Sequence, residues 1–156
     1  MTTVALLGNP NTGKTTIFNS LTDKYAYVGN WTGVTVEKKL GQIKDSAVTL
    51  VDLPGVYSLN PLNDHPDLIL NVTNAGQLKR NLLLTIEVLE LGAPVILNLN
   101  MIDDLKRQGK YYDPKVLEEW LGCEVKTTNA RSHEGVAALK AELASLKERR
   151  QAKPLL

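Results

Sequence analysis

Residues 8–15 read Gly8-Asn9-Pro10-Asn11-Thr12-Gly13-Lys14-Thr15, which matches the pattern G-x-x-x-x-G-K-T. A short apolar run, residues 3–7, precedes them, and apolar residues with helical spacing follow at Ile17, Phe18 and Leu21. Strand, loop and helix therefore occur in the order that a phosphate-binding loop requires. A glycine-rich turn that matches by chance is the alternative, and this context argues against it.

The residue types in this loop suit a polyphosphate. The two glycines let the backbone curl so that successive N–H groups face one anion, and the start of the helix adds the positive end of its dipole. Lys14 brings a full charge, and Thr15 would place its hydroxyl on Mg2+. We therefore predict nucleotide contacts from Gly8, Asn9, Pro10, Asn11, Thr12, Gly13, Lys14, Thr15 and Thr16.

Composition indicates one ordinary globular domain. The chain has 156 residues, of which 43% are hydrophobic and 22% are charged, and this excludes a disordered or fibrous protein. We assign residues 1–148 to the domain and 149–156 to a C-terminal tail. The net charge of +1 gives no overall basic field, so nucleic acid is not the expected partner. No apolar stretch approaches the length of a membrane span, and the chain as given is expected to be soluble.

Hydrophobic periodicity predicts strands that alternate with helices. The predicted strands are 3–7, 34–43, 47–51, 68–72, 94–99 and 124–128, and the predicted helices after the first are 78–91, 114–121 and 135–146. Residues 25–33 show neither period and are predicted to form a loop. This order is typical of an α/β fold with a six-stranded, mostly parallel sheet and helices on both faces.

Three further motifs follow predicted strands, at the sheet edge where such folds bind ligands. Asp52 could hold Mg2+ through water, and the Gly55 N–H could reach a γ-phosphate. Asn100 and Asp103 form an N-x-x-D pattern, in which the carboxylate can accept both N1–H and N2–H of guanine. The Ala130 N–H could meet the guanine O6. Each motif is weak alone, but their order and placement favour a guanine nucleotide.

The residues resemble a known family, the cytoplasmic G domain of ferrous iron transport protein B (FeoB). The segments that carry the resemblance are 8–15, 28–39, 51–59, 80–82 and 100–103, and together they run over nearly the whole chain. The segment around Gly29-Asn30-Trp31-Thr32-Gly33-Val34-Thr35 is much more specific than the general GTPase motifs.

The resemblance implies a Ras-like P-loop GTPase fold of six strands, one of them antiparallel, and GTP hydrolysis with Mg2+. It would make Thr35 a second threonine ligand of that ion, beside Thr15. It also implies a K+ site formed by Asn11 and backbone carbonyls near Gly29 and Trp31. The parent protein would carry Fe(II) across the bacterial inner membrane. The tail would lead to helical regulatory and membrane domains, with this domain on the cytoplasmic face.

Four departures from the family pattern bear on activity. The segment between Gly55 and the next strand is short, so switch II is short. Val56 stands where Ras-like proteins have a catalytic glutamine, which predicts slow hydrolysis. Met101 replaces a lysine that stacks on the base in many GTPases, and Asn129 replaces the usual serine before Ala130. We still include Met101 and Asn129 among the nucleotide contacts.

Two other functions stay open from the sequence. One is a soluble potassium-activated GTPase that acts on ribosomes or RNA, and the other is a nucleotide-binding switch with negligible hydrolysis. The K+ assignment has its own alternative, in which Asn11 braces the loop through an Asx-type hydrogen bond.

Overall fold

A computed structural model describes residues 2–22, 27–30, 37–55 and 66–146 of the chain. Within these ranges the strands are Thr2–Gly8 (β1), Tyr27–Asn30 (β2), Glu37–Gln42 (β3), Val48–Asp52 (β4), Leu68–Asn74 (β5), Val95–Asn100 (β6) and Glu124–Thr127 (β7). The α-helices are Lys14–Leu21 (α1), Leu78–Glu90 (α2), Ile102–Arg107 (α3), Pro114–Leu121 (α4) and Val136–Ala144 (α5).

The strands form one sheet in the order β2-β3-β4-β1-β5-β6-β7. Every pairing from β4 to β7 is parallel, whereas β3 is antiparallel to both β2 and β4. Among the described strands only β3 therefore runs against the rest. This confirms the α/β fold class, the mostly parallel sheet and the single antiparallel strand.

The loop predicted over residues 25–33 is wrong at Tyr27–Asn30, which forms β2 and raises the strand count from six to seven. Its register with β3 runs from Tyr27 opposite Leu40 to Asn30 opposite Glu37. Residues such as Gly29 and Asn30 are poor strand formers on their own. This short segment forms a strand because it pairs with β3, not because of its own residue preferences.

Alternating side chains of the central strand fill the two faces of the sheet. In β1, Val4 and Leu6 pack in the cluster that includes residues of α1 and α5, whereas Ala5 and Leu7 pack in the cluster that includes Val88 of α2. A third cluster joins β6 and β7 to residues of α3 and α4. Helices on both faces therefore bury the parallel strands and leave their carboxyl ends at one edge.

Turn and cap residues set the helix boundaries. The Asp113 carboxylate accepts a hydrogen bond of 2.9 Å from the Lys115 N–H at the start of α4, and Gly122 ends that helix with φ 71°. Helix α4 leaves the Trp120 side chain 82% exposed. No helix among the described residues is long and apolar enough to span a bilayer.

Candidate guanine-nucleotide site

The predicted phosphate-binding loop lies between β1 and α1. Gly8 ends β1 so close to β5 that a Cβ there would lie 2.7 Å from the Val72 carbonyl oxygen. The Thr12 hydroxyl donates to the Asn9 carbonyl at 2.9 Å and braces the turn from inside. Gly13 has φ 82°, a backbone conformation that glycine adopts without strain. The loop therefore depends on two glycines and on an internal hydrogen bond.

Helix α1 starts at Lys14, and its first intrahelical bond runs from the Ile17 N–H to the Gly13 carbonyl at 3.0 Å. The first N–H groups of an α-helix have no partner inside the helix, so those of Lys14, Thr15 and Thr16 are available to an anion. The Thr15 and Thr16 side chains are exposed. The helix start thus presents backbone donors and a hydroxyl together.

Lys14 and Asp52 face each other across the loop. The Lys14 ammonium donates to the Leu53 carbonyl at 2.7 Å and lies 2.9 Å from Asp52 Oδ1. The second contact has the distance of an ion pair but not the angles of a hydrogen bond, and Asp52 Oδ1 has no hydrogen-bond partner among the described residues. Lys14 and Asp52 thus form an ion pair beside the loop.

Asn100 joins the phosphate loop to the second half of the site. Its Nδ2 donates to the Thr12 carbonyl at 3.0 Å, a contact between residues 88 positions apart in the chain. Its Oδ1 accepts from the Thr128 hydroxyl at 2.9 Å and from the Ala130 N–H at 3.1 Å. The side chain is almost fully buried, so these bonds fix the ends of β6 and β7 against the loop.

Asp103 lies in α3, where the Asn129 amide holds its carboxylate. The Asn129 Nδ2 donates to Asp103 Oδ2 at 2.6 Å and also contacts the Ser132 hydroxyl at 2.9 Å. Met101 precedes the helix in a left-handed conformation with φ 58°. Asn129 therefore contacts the carboxylate that was predicted to read the base.

Two adjoining cavities occupy this edge of the sheet, and Gly13 lines both. The larger, about 360 Å³, is lined by Gly8, Asn9, Pro10, Asn11, Gly13, Lys14, Thr15 and Pro54. The smaller, about 170 Å³, is lined by Gly13, Thr16, Asn100, Met101, Asp103, Asp104, Arg107, Asn129, Ala130 and Arg131. The structure thus brings the phosphate-loop residues together with Asn100, Met101, Asp103, Asn129 and Ala130.

Some predicted site residues are placed only in part. Gly29 lies in β2, and Gly55 follows Leu53 and Pro54 just after β4. Thr35 and Trp31 lie outside the described residues, as does Val56. Asn11 is exposed, has φ 66°, and makes no side-chain hydrogen bond to a described residue, so the Asx-type brace is not found in the described part of the chain.

Several residues at the site escaped the sequence analysis. Arg107 lines the smaller cavity, and its guanidinium contacts Asp104 at 2.8 Å, with both side chains well exposed. Helical spacing from Asp103 would have indicated Arg107, but α3 was not predicted because it is only six residues long. Thr128 and Asn98 join the network of Asn100 from inside the sheet, where no motif marks them.

A third cavity, about 590 Å³, lies at the opposite edge of the sheet. Its lining includes Leu68, Leu89 and Cys123. Burial raises the pKa of the Cys123 thiol, and Glu118 and Glu124 add to the rise against a backbone hydrogen bond at Leu97 that lowers it. This thiol is therefore a poor nucleophile near neutral pH.

Known proteins are similar to this chain in sequence and in fold. A sequence profile described as ferrous iron transport protein B matches residues 2–143. The chain belongs to the FeoB family. It is 42% identical, over 95% of its length, to the Fe(2+) transporter FeoB of Staphylococcus aureus (strain COL) and spans about a quarter (24%) of that protein.

Solved FeoB structures have the same fold. A GDP-bound mutant of S. thermophilus NFeoB superposes with a TM-score of 0.81 at 42% identity, covering 99% of this chain and 66% of that one. The cytosolic domain of the T. maritima FeoB iron transporter in its GMPPNP form gives a TM-score of 0.79 at 37% identity, with 99% and 66% covered. The Ras-like P-loop fold predicted from the sequence is thus confirmed.

Proposed function

We propose that this FeoB-family chain is a GTPase domain that binds GTP and GDP with Mg2+ and hydrolyses GTP to GDP and phosphate. One observation carries the proposal. The bond from Asn100 Nδ2 to the Thr12 carbonyl sets the pocket of Asp103 directly against the phosphate loop. A guanine at Asp103 would then have its phosphates at residues 8–15. The GDP and GMPPNP of the solved relatives support the same choice of nucleotide.

The residues present fit Mg2+. Thr15 offers an exposed hydroxyl, and Asp52 offers a carboxylate with a buried oxygen that lacks a hydrogen bond, both hard oxygen donors. Thr35, outside the described residues, would add a second hydroxyl when GTP is bound. Bound Mg2+ would neutralise charge that develops on the phosphate oxygens. Lys14, now paired with Asp52 and Leu53, would then turn toward the phosphates.

The chemistry left to the protein is positioning and charge stabilisation. Lys14 and the first N–H groups of α1 would stabilise the phosphates, and the Gly55 N–H would orient the γ-phosphate. Val56 offers no side chain that can orient the attacking water. We therefore propose slow turnover, in which backbone groups and cations supply most of the catalysis.

Potassium is the finer part of the proposal. Asn11 lies on an exposed turn in the left-handed conformation and lines the phosphate cavity. Its neutral amide oxygen accepts no hydrogen bond from a described residue. With carbonyls near Gly29 and Trp31, that oxygen would hold K+ against the phosphates. The ion would supply positive charge that the protein lacks at this position.

In the parent protein, this domain would regulate Fe(II) transport from the cytoplasmic face of the bacterial inner membrane. Residues 149–156 would lead toward helical regulatory and membrane domains. The family support for this role comes from relatives several times longer than this chain, so the transport role is inferred for the parent and not for the domain alone. A soluble GTPase that acts on ribosomes has no comparable support.

Single-turnover GTP hydrolysis in KCl and in NaCl tests both activity and potassium dependence. We expect turnover to be at least about tenfold faster in K+, which corresponds to an activation free energy lower by about 1.4 kcal/mol. Asn11→Ala should abolish the difference while GDP affinity, measured separately by calorimetry, stays nearly intact. Asn19→Ala, an exposed asparagine of α1, serves as the matched control and should keep the K+ effect.

The outcomes separate the candidate functions. Equal rates in the two salts would remove K+ from the mechanism and leave a GTPase. GDP binding without measurable hydrolysis in either salt would leave a nucleotide-binding switch. Failure to bind GDP at all would overturn the proposed function.

A further inference from the structure

Asn98 is a polar side chain in the middle of a buried strand. It lies in β6 between Leu97 and Leu99 and is completely buried. Its Nδ2 donates to the Thr128 hydroxyl oxygen at 2.9 Å and lies 3.5 Å from the Lys126 carbonyl oxygen. Its Oδ1 is buried and has no hydrogen-bond partner among the described residues. Such an unpaired acceptor is unfavourable, so its presence calls for a role that an apolar residue could not fill.

The amide has one favourable orientation. The Lys126 carbonyl can only accept, so the side of the amide that faces it must be the nitrogen. The reversed amide would place two acceptors against each other and would still leave one amide group unpaired. The orientation with Nδ2 toward Thr128 is therefore the better of the two.

This orientation fixes the proton of the next group. The Thr128 hydroxyl has one proton, and because Asn98 donates to its oxygen, that proton is free to point toward Asn100 Oδ1 at 2.9 Å. Asn100 Oδ1 then receives two donors, the Thr128 hydroxyl and the Ala130 N–H. Its Nδ2 must consequently face the Thr12 carbonyl of the phosphate loop.

The chain of bonds thus runs in one direction, from Asn98 through Thr128 and Asn100 to Thr12. We call these four residues the asparagine relay. Successive hydrogen bonds of this kind polarise and strengthen one another in a buried site. The Asn100 amide packs tightly against Gly13, because a Cβ at that position would clash with the amide nitrogen.

We infer that Asn98 is a positioning residue for guanine-nucleotide binding, which acts through Thr128 on the amide of Asn100. The inference rests on the proposed function, because it assigns Asn98 to the same nucleotide site. Asn98 lines neither of the two cavities of the site, so it would act without touching the nucleotide. Its effect is to hold the ends of β6 and β7 against the phosphate loop and so to slow the release of GDP.

The test is a double-mutant cycle on GDP release, followed as the loss of a fluorescent GDP analogue chased with unlabelled GDP. Asn98→Leu should speed release by about two- to tenfold, the contribution of one buried hydrogen bond. Thr128→Val removes the bonds to both Asn98 and Asn100 and should speed release by at least as much. The double variant should release GDP no faster than Thr128→Val alone, because both changes interrupt the same relay.

Thr85→Val is the matched control. Thr85 is completely buried in α2, and its hydroxyl donates to Asn71 Oδ1 at 2.6 Å, so this substitution also deletes a buried threonine-to-asparagine bond without changing volume. It should lower the melting temperature, yet leave GDP release unchanged. A purely structural Asn98 would behave like Thr85.

Two results would overturn the inference while the proposed function stands. One is GDP release from Asn98→Leu at the rate of the unmodified chain, and the other is a double variant whose effect is the product of the two single effects. If Asn98→Leu does not fold, Asn98→Val, which fills less volume and suits a strand, takes its place in the same cycle. An unmodified chain that does not bind GDP would overturn both proposals.

Discussion

The two halves of the site are built in different ways. The phosphate half is built mainly from one stretch of chain, residues 8–15, and its shape comes from the close approach of Gly8 to β5 and from the backbone conformation of Gly13. The base half joins residues 28 positions apart, such as Asn100 and Thr128, and its shape comes from side-chain hydrogen bonds. A change of backbone conformation should therefore abolish phosphate binding. Removal of one side-chain hydrogen bond from the base half should only weaken nucleotide binding, by the contribution of that bond.

The largest expected effect comes from Gly13→Ala. The new methyl group would clash with the Asn100 amide at a residue with φ +82°, which adds strain of roughly 1–2 kcal/mol to a broken bond worth roughly 1–3 kcal/mol. We expect GDP affinity to fall by more than about 100-fold in calorimetry.

Gly92→Ala is the control for that substitution. Gly92 has the same φ of +82°, but a Cβ there would meet nothing within 4 Å. This variant should lose stability on heating and keep its GDP affinity. Similar GDP affinities for the two variants would mean that the phosphate half tolerates a change of backbone. That result would contradict the proposed difference between the two halves of the site.

The next effect is a change of base preference. Asp103→Asn should weaken GTP binding by roughly 2–4 kcal/mol and favour xanthosine triphosphate, whose C2 carbonyl can accept from the new amide. Competition binding with the two nucleotides measures this directly. Asp104→Asn, next along α3, should create no preference for the xanthine nucleotide, and equal affinities of Asp103→Asn for both nucleotides would remove Asp103 from base recognition.

A smaller effect should follow from the support of Asp103. Asn129→Ala deletes the 2.6 Å bond to the Asp103 carboxylate and should cost about 0.5–1.5 kcal/mol of GDP affinity. Ser132→Ala, which removes the contacts between Ser132 and Asn129 but keeps the bond to Asp103, should cost less. If the order of these two losses is reversed, Asn129 supports the loop and not the carboxylate.

Local spacing predicted the turn and the helix start of the phosphate half, whereas the contacts of Lys14 with Leu53 and of Thr12 with Asn100 join distant parts of the chain. The spacing of Gly8, Gly13 and Lys14 already specifies the turn and the helix start. In the base half, motifs located Asn100, Asp103 and Ala130, since each follows a strand that hydrophobic periodicity identifies. Thr128 and Asn98 were missed because their role depends on the pairing of β6 with β7, which no local pattern encodes.

The same reasoning explains the one error in the sheet. Tyr27–Asn30 has no alternation of its own and becomes a strand only through its ladder with β3. The short helix α3 was missed for a related reason, since six residues offer too few turns to show a helical period. Tertiary contacts determine whether such short elements form, and a local sequence pattern carries no information about those contacts.

The exposed indole of Trp120 makes the chain a convenient optical probe. The chain has two tryptophans, Trp31 and Trp120. Trp120 is exposed near the end of α4, just before β7 begins, and thus lies at the edge of the sheet away from the candidate nucleotide site. Its emission should be that of a hydrated indole whether or not nucleotide is bound. Any change in intrinsic fluorescence on adding GTP therefore reports on Trp31, and Trp120→Phe would isolate that signal without an extrinsic dye.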